Sequence, residues 1–116
     1  MRIPKYAWNL WLRRRARLRG FAMPDSWVEI TALGRRKGSV SLKNYTRLLA
    51  NVPEGFHEFV THPGYVDDEL RRWSTYLTPR EDERRALLDP RFRDALATSG
   101  VVLSGYRDIP RQSVSS

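Results

Sequence analysis

One histidine lies where an apolar segment ends at a turn, a position that suits proton-transfer chemistry. Residues 58–68 read EFVTHPGYVDD, so His62 follows a short apolar run and is followed at once by Pro-Gly. Side chains alternate along a strand, which places Glu58, Val60 and His62 on one face. The proline favours an extended backbone at His62, and Gly64 permits a turn and the close approach of a ligand. Because active sites of α/β folds lie at the carboxyl ends of strands, we predict that His62 is functional.

The chemistry available to His62 is that of a proton donor or a hydrogen-bond donor. Imidazoles change protonation near neutral pH, so this side chain could protonate a leaving group or stabilise an oxyanion. On the residues alone, a structural role is the more common explanation of a single histidine at a strand end. The other histidine, His57, is five residues away and points to the opposite face, toward helices or solvent.

Four neighbouring residues have two interpretations each. Glu58 either orients His62 or another basic group, or forms a buried ion pair with an arginine. Asp67, followed by a second aspartate, either contacts a ligand or caps a helix. Tyr65 either stacks on a ligand ring or belongs to the core, as do Trp73 and Tyr76. Arg2 ends a presumed strand and points either into the site or into solvent.

The elements that position these residues alternate between helix and strand. Met1 to Pro4 reads as the end of a strand, residues 27–33 as helical or extended, and residues 34–38 as a loop. Helices are predicted over residues 5–19, 41–50, 78–88 and 89–99, and strands over residues 56–61 and 101–106. Strands separated by helices favour parallel pairing and an α/β class. Two or three strands make an incomplete parallel sheet, so we expect part of a larger α/β domain.

Composition limits the other possibilities. The chain has 116 residues, no cysteine and a formal net charge of +8, so it is at most one ordinary domain without disulfides or a thiol nucleophile. No apolar run is long enough to span a membrane, and we expect a cytoplasmic protein. Residues 1–50 contain 12 Lys and Arg against 2 Asp and Glu. This basic half, with Trp8 and Trp11 near Arg13–Arg15, leaves a small nucleic-acid-binding module without catalysis as an alternative, although no known motif supports it.

The sequence around His62 also resembles a known family. Residues 55–65, followed by Asp67-Asp68, resemble the closing active-site strand of the YdjC-like carbohydrate deacetylases, also called chitooligosaccharide deacetylases. The resemblance covers about residues 2–109 and corresponds to the carboxyl-terminal part of that family's domain. Its other segments are residues 2–4, Met23-Pro24-Asp25, Tyr76, residues 80–83, Ala86-Leu87, Asp89-Pro90 and residues 100–108.

This resemblance implies a fold and a reaction. The fold would be part of an irregular (β/α) barrel, with residues 1–109 as an incomplete domain and residues 110–116 as a frayed tail. The reaction would be the removal of an acetyl group from N-acetylated amino sugars or oligosaccharides. A divalent metal, magnesium or zinc, would be held by the absent amino-terminal half, which carries the family's ligands, so this chain alone would be inactive and bind no metal. His62 would be catalytic, with Glu58, Gly64, Tyr65, Asp67 and Arg2 as substrate-binding or supporting residues, and a homo-oligomer is possible.

Overall fold

The computed structural model of the chain describes residues 5–30 and 40–111. The described residues form two compact units, one containing those up to Asp25 and from Leu103 onward, and the other running from Ser26 to Val102. The expectations for Arg2, for the loop 34–38 and for most of the tail 110–116 fall outside the described residues.

The first unit is built on one helix and one short 3-10 turn. Helix α1 spans Lys5–Leu18, close to the predicted range, and the 3-10 turn spans Tyr106–Asp108. Arg13 ties the helix to the segment that follows it, because its Nη2 donates to the carbonyl oxygens of Pro24 at 3.2 Å and Asp25 at 2.9 Å.

The predicted strand over residues 101–106 is wrong. The sheet in the described part of the chain has two strands, and this segment is outside it. Residues 101–105 are irregular, and the 3-10 turn begins at Tyr106. A segment with an apolar pattern forms a strand only where neighbouring residues of a sheet pack against one of its faces. Here Val102 and Leu103 are exposed, so that covering layer is not supplied by the described residues.

The second unit contains a β-α-β arrangement. Strand β1 spans Ser26–Glu29, helix α2 spans Leu42–Ala50 and strand β2 spans His57–Val60. The two strands are parallel, with Ser26 opposite His57 and Glu29 opposite Val60. The described strands are thus parallel, but the partner of β2 is the segment that the sequence left as helical or extended, and not residues 101–106. The described residues are mixed α/β.

Three further helices follow β2. They are α3 at Asp68–Trp73, α4 at Thr78–Leu88 and α5 at Pro90–Thr98. Helix α4 begins at Thr78, as predicted, and Leu77 occupies the cap position without a side-chain bond. Pro79 lies in the first turn, where its missing N–H is tolerated.

The core lies between α2, α4 and α5. Tyr45 of α2 is fully buried and packs edge-on against Phe59 of β2 and Phe92 of α5, with ring centroids 5.8 Å apart in each pair. The buried apolar residues of this cluster are Ile30, Val40, Tyr45 and Ala86. Tyr45 thus fixes β2 against the helices, and with it the strand that leads to His62. None of the described helices is long and apolar enough to cross a membrane.

Candidate active site

His62 and Glu29 meet at the carboxyl end of the two-stranded sheet. Glu29 is the last residue of β1 and lies opposite Val60, two residues before His62. Alternation therefore places Glu29, Val60 and His62 on the same face of the sheet. The distance from Glu29 Oε1 to His62 Nδ1 is 3.9 Å, which is an ion-pair distance when the ring is protonated.

The His62 ring has one enclosed edge and one open edge. Its side chain is 40% exposed, whereas its Nδ1 atom is buried and accepts or donates no hydrogen bond in the described part of the chain. The ring of Tyr76 packs edge-on against the imidazole, with centroids 6.0 Å apart. The exposed surface of the imidazole therefore belongs to atoms other than Nδ1.

A buried carboxylate holds the backbone at His62. Glu83 of α4 is fully buried, and its Oε2 accepts a hydrogen bond from the backbone N–H of His62 at 2.5 Å. Its other oxygen, Oε1, accepts a hydrogen bond from the hydroxyl of Tyr76 at 3.3 Å. Buried carboxylates are stable only when donors replace their lost water, and these two donors meet that need.

The same carboxylate affects two tyrosines. Burial, followed by the negative charge of Glu83, raises the pKa of Tyr45 well above its usual range. Burial and Glu83 also raise the pKa of Tyr76, in the same order of importance. No hydrogen bond of ordinary geometry reaches the Tyr45 hydroxyl from the described residues, so its relation to Glu83 is one of proximity. Both hydroxyls therefore remain protonated at neutral pH and can act as donors.

Helix α4 also holds the turn after His62. The N–H of Gly64 donates to the carbonyl oxygen of Arg80 at 3.1 Å. The guanidinium of Arg84 lies over the ring of Tyr65, 4.2 Å from its centroid. Together with the bond from His62 to Glu83, these contacts join three positions of the turn to successive turns of one helix.

The structure places the predicted supporting residues in different surroundings. Glu58 shares the face of His62 but is exposed, so the buried ion pair considered for it is not what the described residues show. Tyr65 is exposed beneath Arg84 rather than part of the core. Asp67 caps α3, where its Oδ1 accepts from the N–H of Leu70 at 2.8 Å. Substrate contact by any of these residues stays a prediction.

Gly64 does not need to be glycine for the chain's own conformation. Its φ is outside the left-handed region, and a Cβ built on it would meet only side-chain atoms of Arg80, at 3.8 and 3.9 Å. A methyl group could therefore be accommodated at this position against the Arg80 side chain, and ligand approach to Gly64 stays a prediction.

His57 has a structural role. Its Nε2 lies 3.0 Å from the carbonyl oxygen of Pro53, so Nε2 carries a proton and donates. Its Nδ1 is then an acceptor for the hydroxyl of Ser26, 2.7 Å away. His57 thus joins the first residues of the two paired strands to the turn that precedes β2.

Two residues of this site were not found from the sequence. Glu29 lies in a segment whose pattern did not distinguish helix from strand. Glu83 enters the sequence analysis only as one of residues 80–83 of the family resemblance, without a role. The available signal for Glu83 was its helical spacing, three residues before Ala86, which puts a carboxylate on the buried side of α4.

The residues present do not form a metal site. In residues 5–30 and 40–111, no three His, Asp or Glu side chains lie close enough together to hold a metal ion. The remaining positions contain none of these residue types and no cysteine.

Comparison with known proteins identifies the family. A model of the YdjC-like protein family matches residues 2–98. Carbohydrate deacetylase 2 of Listeria innocua serovar 6a is 44% identical over 55 residues, which cover 47% of this chain and 22% of the relative. Carbohydrate deacetylase of Thermoanaerobacter pseudethanolicus is 36% identical over 67 residues, which cover 58% of this chain and 27% of the relative.

A solved structure agrees with these matches. The crystal structure of a proposed cellobiose-phosphate cleavage protein from Enterococcus faecalis superposes with a TM-score of 0.61 at 25% identity, covering 72% of this chain and 32% of that protein. The chain thus spans about a quarter of the length of the curated relatives it matches. Because the family model covers most of the sequence, the chain belongs to the YdjC-like protein family.

Proposed function

We propose that this chain forms the carboxyl-terminal part of a carbohydrate deacetylase that removes acetyl groups from N-acetylated amino sugars or short oligosaccharides. The two curated relatives are named carbohydrate deacetylases, which supports this reaction at the level of the family. The observation that carries the proposal is the placement of His62, whose partly exposed ring lies two residues beyond a parallel strand while its backbone is bound to a buried carboxylate.

In this proposal His62 acts on the substrate through Nε2. Hydrolysis of an acetamide releases an amine, which must be protonated as the carbon-nitrogen bond breaks. A protonated imidazole can supply that proton, or its N–H can stabilise the oxyanion of the tetrahedral intermediate. The bond to Glu83 fixes the backbone of His62 before the substrate binds. Less conformational freedom is therefore lost when the ring reaches the substrate.

The rest of the site comes from outside this chain. A divalent metal, magnesium or zinc, would polarise the acetyl carbonyl in the complete enzyme, and its ligands belong to the amino-terminal part of the domain. The two parallel strands described here would be members of a larger (β/α) barrel, an assignment supported by their β-α-β connection and by the overlap with a much longer solved structure.

A chimeric enzyme tests the proposal. Residues 2–98 would replace the matching segment of the Thermoanaerobacter pseudethanolicus relative, and acetate release would be measured with N-acetylglucosamine and its short oligomers as substrates. We expect the chimera to be active and His62→Ala to lower kcat by roughly 10²–10⁴-fold, the usual value of general acid-base catalysis.

Asp94→Asn is the control, because Asp94 is an exposed carboxylate on α5 to which no role in the site is assigned. Its turnover should stay close to that of the unaltered chimera. A folded chimera in which His62→Ala leaves kcat unchanged would remove His62 from the reaction. A folded chimera that releases no acetate from any of these sugars would overturn the proposed activity.

A further inference from the structure

We propose that Glu29 is the positioning residue for His62. Its carboxylate binds the proton on Nδ1 and thereby leaves Nε2 as the nitrogen that faces the substrate. This inference rests on the proposed function for its effect on turnover, whereas the orientation of the ring can be measured without any activity.

The strand register brings the two side chains together. Glu29 ends β1 and His62 lies two residues beyond the end of the neighbouring parallel strand β2, on the same face, so their side chains project toward the same space. Their closest atoms are Glu29 Oε1 and His62 Nδ1, at 3.9 Å. An approach of roughly 1 Å would bring this pair into the 2.7–3.2 Å range of a hydrogen bond.

Within the described part of the chain, no other group is seen to bond to Nδ1 of His62 or to the carboxylate of Glu29. Nδ1 of His62 is buried without a hydrogen-bond partner, and buried polar atoms in folded proteins are nearly always paired. The Glu29 side chain is only 18% exposed, and the only basic group within ion-pair distance of it among the described residues is His62. A mostly buried carboxylate also requires a donor. The pairing of Glu29 with Nδ1 satisfies both groups at once.

The surrounding contacts limit how the ring can turn. Tyr76 packs edge-on against the imidazole, and Glu83 fixes the backbone N–H of His62. In this arrangement Glu83 fixes the backbone of His62, and Glu29 binds Nδ1 of its ring. Carboxylates that bind one nitrogen of a catalytic histidine select its tautomer and orient its second nitrogen.

The test is the tautomer of His62, read from the nitrogen chemical shifts of its imidazole in the 116-residue chain. At about pH 9 histidine rings are neutral, and each then carries one proton on either Nδ1 or Nε2. We expect His62 to hold its proton mainly on Nδ1. His57 serves as an internal reference, because its contact with the Pro53 carbonyl fixes the proton on Nε2.

Three variants complete the experiment. Glu29→Met keeps the length of the side chain but removes the acceptor, so the Nδ1-protonated form of His62 should become the minority. Glu29→Gln keeps one acceptor oxygen and should retain part of that form. Glu58→Gln should leave both histidines unchanged, because it alters a carboxylate on the same face that does not contact His62.

The outcomes separate this inference from the proposed function. An unchanged His62 tautomer in folded Glu29→Met would overturn the inference, as would a proton on Nε2 in the unaltered chain. In the chimeric enzyme, we expect Glu29→Met to lower kcat about 10–100-fold with little change in KM, and Glu29→Gln to recover part of it. A normal kcat in Glu29→Met, beside a large loss in His62→Ala, would also overturn it. Failure of His62→Ala to alter turnover would instead remove His62 from the reaction and leave the tautomer result to decide the role of Glu29.

Discussion

The backbone N–H of His62 is bound to the side chain of Glu83, a residue 21 positions later that is fully buried in helix α4. This bond makes the conformation of the candidate catalytic residue depend on a helix that follows it in the sequence. The same carboxylate accepts a bond from Tyr76, whose ring packs against that imidazole. Backbone and ring of His62 are therefore supported from one buried group.

Removal of the Glu83 carboxylate should destabilise the chain. In Glu83→Ala, the N–H of His62 and the hydroxyl of Tyr76 lose their common acceptor, and unpaired buried donors make unfolding easier by about 2–4 kcal/mol in total. Glu83→Gln retains an acceptor oxygen and should lose less than half of that. Urea unfolding measures the difference. Asp94→Ala, which removes an exposed carboxylate on α5, is the control and should stay within about 0.5 kcal/mol of the unaltered chain. Equal stabilities of Glu83→Ala and Asp94→Ala would contradict the role given to Glu83.

The location of His62 could be predicted from the sequence because one strand and one turn determine it. The alternation ending at His62 and the Pro-Gly that follows are local signals, and β2 at His57–Val60 agrees with them. The cap of α2 at Ser41 was predictable for the same reason, since its side chain accepts from an N–H three residues later.

The partners of His62 depend on pairing between distant segments, which local patterns do not contain. The segment that contains strand β1 has a mixed pattern that fits either a helix or a strand, so Glu29 was not identified. Glu83 conflicts with the rule that buried positions are apolar, because tertiary donors compensate its burial. The strand predicted at 101–106 is wrong for the opposite reason. Its residues have the apolar pattern of a strand, but no sheet covers them in the described part of the chain.

Two glycines should respond in opposite ways to alanine. Gly64→Ala should leave the free energy of unfolding unchanged or raise it by up to about 1 kcal/mol, because its φ suits alanine and the new methyl group meets only ordinary contacts. Gly100 has φ +76° with open space around it, so Gly100→Ala should lose about 1–2 kcal/mol through backbone strain alone. Thermal and urea unfolding compare the two variants. A destabilisation in Gly64→Ala as large as that in Gly100→Ala would show that the turn after His62 is already strained.

Gly64→Ala then becomes a probe of the substrate. In the chimeric enzyme, a raised KM in this variant without a loss of stability would indicate that the substrate approaches the chain at Gly64. An unchanged KM would place the substrate elsewhere on the site.

The ion pair at the start of α5 should be visible in an acid titration. Arg91 lowers the pKa of Asp89 to about 2, first through side-chain hydrogen bonds, one of which joins Arg91 Nη2 to Asp89 Oδ2 at 2.8 Å. Because the unfolded value is about 3.9, Asp89 stabilises the folded chain above that pH, and this contribution is lost as the pH falls toward 2. In Arg91→Ala the pKa should rise toward its usual value, as followed by carboxyl NMR. The rise in the pKa should be incomplete, because the backbone N–H of residue 91 still donates to Asp89 Oδ1 in the variant. Arg93→Ala, an exposed change on the same helix, should leave the pKa of Asp89 near 2.

The two tyrosines beside Glu83 should give the chain a distinctive alkaline titration. The sequence has five tyrosines, and burial together with Glu83 raises the pKa of Tyr45 and Tyr76. A folded chain that keeps a proton which the unfolded chain releases above about pH 10 loses stability as the pH rises further. Tyr45→Phe should therefore remove the latest step of the tyrosinate absorbance and weaken the fall of the unfolding free energy with pH. Glu83→Gln should shift the late steps to lower pH only in part, because burial is the larger cause at both residues. Ionisation of all five tyrosines in a single step in the folded chain would contradict the placement of Tyr45 and Tyr76 against a buried negative charge.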